Sequence, residues 1–289
     1  MLAALDAGGS LLQRRGRDLL VGSSILLLPI VALNLWATSQ VFDRTGATTL
    51  TAFGGDDVGT GIEDVAALLA LVCGSLAGAV VGAFGAIILL ADRLGSPVGL
   101  RPALAGTLRR LPTVVVAWAV GHVWLPFVAT WSLSGTGGEG AGALLLAVPI
   151  ATFFATATLF VVPVIVGERL GPFAALRRAW RLARARTASA LGFMCLSFVV
   201  GALLLVGITS LPALAEVTGF ITFGDYRWLV QGVMSQLAVI IVVPLLGLAT
   251  AHLYLLFRVD VEGLDIVLDA DAAFGPAVHG DGLHGGQSQ

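Results

Sequence analysis

VAALLALVCGSLAGAVVGAFGAIILLA, residues 65–91, holds no charged side chain, and the stretch directly after it, DRLGSPVGLRPALAGTLRR, residues 92–110, holds four arginines. The first stretch is longer than the roughly 20 apolar residues that cross a hydrocarbon core of about 30 Å. Five more windows share its character: Leu19–Phe42, Leu111–Gly138, Gly140–Gly167, Thr187–Ala215 and Trp228–Phe257. All 16 basic and 18 acidic residues lie outside these windows. An all-α, polytopic membrane bundle is expected, with spans at about 19–41, 65–91, 113–133, 142–166, 188–214 and 229–257. Residues 1–18 read as a basic amino-terminal helix. Residues 258–289 read as a tail, disordered from about 270 because its Gly-, Asp- and His-rich sequence has little to bury.

The whole chain agrees with that reading. Over 289 residues it is 57% apolar and 12% charged, with mean hydropathy +0.95, well outside the soluble globular norm. Every basic residue is Arg, which excludes a phosphate-loop lysine, Schiff-base chemistry and a lysine general base. A net charge of −2 gives no reason to expect nucleic acid as a partner. Cys73 and Cys195 fall inside spans and read as small apolar fillers rather than a disulfide. No small-residue cleavage site follows the first span, so no signal peptide is expected.

Orientation follows from the arginines. Fourteen of them occupy alternate connecting segments, while Arg44 and Arg227 stand alone on the other side. By the positive-inside rule both termini face the cytoplasm of a plasma (inner) membrane.

The connecting segments repeat. Asp92-Arg93-Leu94-Gly95-Ser96 recurs as Glu168-Arg169-Leu170-Gly171-Pro172, and Leu100, Arg101, Ala103 and Arg110 match Leu176, Arg177, Ala179 and Arg186 at the same offset. Ser10–Arg17 is a looser version. Three tandem units are therefore expected, each a basic interfacial helix, a span, an outer turn and a return span. Ser10 with Gln13 fits a capping box, while Ser96-Pro97 and Gly171-Pro172 fit helix starts. In the third basic helix Phe173, Leu176, Trp180 and Ala183 share a stripe flanked by Arg177, Arg178, Arg181 and Arg184, the pattern of a helix lying among lipid headgroups. Such segments serve as topology determinants. They also offer a contact for anionic inner-leaflet lipid, or for a protein partner in the membrane, through Arg101, Arg110, Arg177, Arg178, Arg181, Arg184 and Arg186.

Gly74, Gly78 and Gly82 form a GxxxGxxxG face that reads as close intramolecular helix packing. Prolines fall in five of the six spans and predict kinks. His122 lies about ten residues into the third span, near the midplane. An ionisable group at that depth is a functional hypothesis by default, but no charged partner exists in any span. A neutral His bonded to Asn34, Thr130, Ser197, Gln231 or Gln236 is the simpler expectation, and a midplane polar site in a permease is the alternative.

Other motifs carry no chemistry. The acidic outer loop with Asp56, Asp57, Glu63 and Asp64 lacks EF-hand spacing, and Thr60–Glu63 reads as a capping box. Gly135–Gly140 matches GxGxxG without a preceding strand. No HExxH, GxSxG or CxxC occurs. No catalytic constellation, cofactor or metal is expected.

Two stretches, Glu168–Leu191 (ERLGPFAALRRAWRLARARTASAL) and Leu253–Leu268 (LYLLFRVDVEGLDIVL), resemble actinobacterial integral membrane proteins similar to the membrane domain of glycerophosphoryl diester phosphodiesterase. The resemblance covers the six-span body and implies a helical membrane module. The catalytic barrel of that larger enzyme has no counterpart here, so its activity is not implied. One departure is visible: Asp260, Glu262, Asp265 and Asp269 follow Arg258 where a more basic segment is usual. The expected role is a non-enzymatic scaffold or accessory at the inner leaflet; the competing one is a small-molecule or lipid permease.

Overall fold

A computed structural model describes residues 2–45, 62–93, 95–122 and 140–263. All the described elements are helical, and six helices are long and apolar enough to cross a membrane. In chain order these elements are α1 (Leu2–Thr45), α2 (Ile62–Arg93), α3 (Leu100–Gly121), α4 (Gly140–Thr158), α5 (Val161–Gly167), α6 (Pro172–Ala185), α7 (Thr187–Thr209), α8 (Leu211–Val217) and α9 (Arg227–Glu262), with a short 3-10 turn at Gly224–Tyr226. Thr60, the GxGxxG turn and the tail beyond Gly263 lie outside the described residues.

The 36-residue α9 is the central post, packing against α1, α2 and α7. Among the described residues three buried clusters pack against it, the smallest formed by Leu27, Ala77 and Val81. Of the larger two, one joins Leu11 and Leu19 of α1, Phe84 of α2 and Leu248 of α9. The other joins Phe160, Phe193, Tyr254 and Phe257, with the Phe160 and Phe257 rings 4.9 Å apart. Since lipid tails are as apolar as these side chains, close packing and not hydrophobic transfer holds the bundle together. The outer surface is accordingly apolar: Leu28, Phe198, Leu203 and Val206 are all largely exposed.

Small residues set the closest approaches. A Cβ on Gly247 of α9 would meet the Gly82 Cα of α2 at 3.0 Å, so these two backbones touch. Gly22 of α1 leaves the space that the Phe84 ring fills. Gly74 and Gly78, by contrast, have nothing within 4 Å of an added Cβ. Only one of the three glycines in the GxxxGxxxG face is packed as its spacing predicts.

The basic segments enter their spans in three ways. In α1 the helix continues through a break at Arg15 (φ −122°, ψ 22°), so Ser10 lies inside a helix and is no N-cap. In α3 no break occurs: Arg101–Arg110 and the start of the third span form one helix, beginning at Gly99 rather than at the expected Ser96-Pro97. The Ser96 amide closes the end of α2, donating to the Ala91 carbonyl at 3.0 Å beside Gly95 (φ 70°), and α3 is capped three residues later, by Gly99. In α6 the expected Gly171 N-cap and first-turn Pro172 are found, and a corner at Arg186 (φ −139°, ψ 58°) leads into α7. The threefold repetition stays a property of the sequence. Pro163 and Pro212 open α5 and α8 after interruptions of the fourth and fifth spans, whereas Pro29, Pro149 and Pro244 sit inside continuous helices.

Candidate functional site: the arginine-rich end

The chain ends of α2, α5 and α9, the starts of α3 and α7, and the whole of α6 meet at one end of the bundle. Cross-contacts fix the meeting. Arg15 donates to the Val98 carbonyl at 2.7 Å, Arg110 donates to the Ile165 carbonyl at 3.2 Å, and Arg186 pairs with Asp260 at 2.7 Å. Carbonyls near helix ends are short of intrahelical donors, which is why guanidinium groups find them.

A carboxylate network lies at the centre. Glu168, just past α5, accepts from Arg178 Nε at 3.0 Å and from the Tyr254 hydroxyl at 2.9 Å. Arg178 also donates to Glu262 at 2.6 Å, and Arg258 donates to Glu262 at 3.0 Å. Arg258 reaches the Tyr254 hydroxyl at 3.4 Å as well. The hydrogen bond to Glu262, followed by Glu168, holds the Arg178 guanidinium more firmly protonated against the opposing pull of burial. Two acids are thus shared by two arginines and a phenol, locking α6 to α5 and α9.

The seven arginines expected to contact lipid divide accordingly. Arg110, Arg178 and Arg186 are held by partners within the protein, Arg186 in an exposed pair. Arg101, Arg177, Arg181 and Arg184 are exposed. On α6 the buried face is Ala175, Ala179, Leu182 and Ala183. Phe173, placed by spacing on the apolar stripe, is 67% exposed. Trp180 meets Phe153 edge-on at 5.4 Å and lies beneath the Arg184 guanidinium, a cation–π arrangement. Alanines let α6 approach the bundle closely, and the bulkier aromatic side is left for the surroundings.

A cavity of about 490 Å³ opens beside the network, between α2, α3, α5 and α9. Arg109, Arg110, Arg169 and Arg258 line it together with Ser96 and Tyr254, and among the described residues no carboxylate does. Arg169 adopts left-handed φ of 56°, which costs a non-glycine residue about 1–2 kcal/mol. The turn sends Glu168 to the network and its neighbour Arg169 into the cavity lining. Sequence reasoning missed Glu168, Arg169, Tyr254 and Glu262. The ERLGP/DRLGS match flagged the position of Glu168 and Arg169, but nothing in the sequence paired Glu168 with residues 10 and 86 positions away.

His122 belongs to a second cavity, about 320 Å³, also lined by Gly78, Trp118, Thr158, Ser197 and Thr250. It caps the end of α3. Its Nδ1 donates to the Trp118 carbonyl at 3.0 Å and its ring stacks on Trp118 at 5.4 Å. Of the expected cross-helix partners, Gln231 donates to Thr209, and the buried Ser197 hydroxyl has no hydrogen-bond partner among the described residues. Thr130 and the Asn34 side chain lie outside the described residues. Gly78 therefore shapes a hollow rather than a helix contact. Trp118 donates to the Ser75 hydroxyl at 3.0 Å across its rim.

Both cysteines are free. Among the described residues no group of three or more His, Cys, Asp or Glu side chains is placed to hold a metal. Comparison of the chain with family models, with curated proteins and with solved structures finds no match.

Proposed function

We propose that this chain is a non-enzymatic membrane scaffold or accessory module that holds anionic lipid of the inner leaflet against its arginine-rich end. In this reading both termini are cytoplasmic, as the fourteen-to-two division of arginines requires under the positive-inside rule. The observation that carries the reading is the split face of α6, with small residues buried and Arg177, Arg181, Arg184 and Phe173 exposed. A helix so divided has its inner side satisfied and its outer side suited to headgroups and the upper acyl region. Each surface arginine contributes about 1 kcal/mol toward an anionic leaflet. Arg101 of α3 is likewise exposed. The resemblance read in residues 168–191 and 253–268 fits a module of this kind.

The test is the lipid that accompanies the protein when it is extracted from native membranes without detergent. The Arg177→Gln, Arg181→Gln, Arg184→Gln protein should carry less anionic lipid per chain than the wild type. An unchanged ratio overturns the proposal.

The permease reading draws on one specific observation, the cavity that brings His122 and the unpartnered Ser197 hydroxyl together. It requires water to reach that cavity. A cysteine introduced by Ser197→Cys, in a chain lacking Cys73 and Cys195, should then react with a water-soluble thiol reagent. Failure to react removes this reading.

A further inference from the structure

The arginine-lined cavity between α2, α3, α5 and α9 uses different residues from the exposed face of α6, and it has the chemistry of a discrete site. Two guanidiniums form its floor. Arg110 is held by the Ile165 carbonyl, and Arg258 by Glu262 and Tyr254. Two stand at its rim, Arg109 and Arg169, both exposed and neither with an ion pair or hydrogen bond among the described residues. The nearby acids do not neutralise the rim, because Glu168 and Glu262 are occupied by Arg178, Tyr254 and Arg258. Like charges gathered around a recess repel, and an anion that joins them relieves that repulsion, so the recess favours a negatively charged occupant.

The shape selects among anions. A volume of about 490 Å³ falls within the roughly 300–1,000 Å³ range of ligand sites. Guanidinium forks match the oxygens of a phosphate in pairs, and a terminal phosphate presents three such oxygens where a carboxylate presents two. The wall on the hydrocarbon side is apolar, formed by Ile87, Leu90, Val166 and Leu255, so the occupant can be amphiphilic. Basic recesses between membrane helices are a known form of headgroup recognition. We propose that this cavity binds the phosphate group of a phosphomonoester, delivered either by a membrane lipid or by a small soluble phosphate ester.

Two substitutions test it without disturbing the bundle. Arg109→Gln removes a rim charge that has no hydrogen bond or ion pair among the described residues. Arg169→Gly removes the other and suits the left-handed backbone, so the unliganded protein should melt no lower than the wild type. In phosphatidylcholine nanodiscs, thermal stabilisation is measured on adding phosphatidic acid to the bilayer, and separately on adding glycerol 3-phosphate to the solution. Stabilisation of the wild type in the first arm alone assigns the site to a lipid. Stabilisation in the second assigns it to a soluble ester. In either case R109Q/R169G should weaken apparent affinity by at least about tenfold, while R177Q/R181Q/R184Q should keep it. No stabilisation in both arms, or equal stabilisation of R109Q/R169G, overturns the proposal whatever the fate of the α6 surface.

Discussion

Glu168 shows how much one side chain organises here. It follows the last turn of α5, yet it accepts from Arg178 on α6 and from Tyr254 on α9. Glu168→Ala leaves the Tyr254 hydroxyl and one edge of Arg178 without their acceptor. Hydrogen bonds to charged groups contribute about 1.5–3 kcal/mol each, less where water reaches them. A loss of roughly that size is expected for the variant, read as a lower unfolding temperature in mild detergent. Tyr254→Phe should lose less, because Glu168 keeps Arg178. Of the acids that follow Arg258 where a more basic segment is usual, two are partners of the bundle's own cations: Asp260 takes Arg186 and Glu262 takes Arg178. Sequence showed which residues carry charge at this end. It could not show which charges cancel, since those pairings span up to 90 positions, from Glu168 to Arg258.

At the scale of elements, local signals were readable where a helix start depends only on its neighbours. Gly171-Pro172 opens α6 as its chemistry requires. Ser96-Pro97 is not the start, since Ser96 still belongs to the turn that closes α2 and Gly99 caps the next helix, and Ser10 fails because the helix began earlier. The glycine face shows the same limit. Spacing identifies small residues, but only the position of α9 decides which of them is packed. Gly82→Leu should force α2 and α9 apart and cost about 1–3 kcal/mol or more. Gly78→Ala meets open space and should be tolerated. Melting curves of the two variants separate them, and equal effects would show that the α2–α9 contact is not the tight one.

For the whole molecule, the charge-free windows set the fold because lipid allows no unpaired backbone and tolerates few charges. Six long apolar helices follow from that constraint. Which side the arginine-rich end faces is the claim on which the inner-leaflet lipid surface depends. Membrane-impermeant thiol labelling of intact cells tests it directly, in a C73A/C195A chain carrying either Ala185→Cys, at the exposed end of α6, or Val217→Cys, exposed at the far end of α8. Label at position 217 from outside, with position 185 modified only after the membrane is opened, is the predicted result. Labelling of position 185 in intact cells would contradict the account.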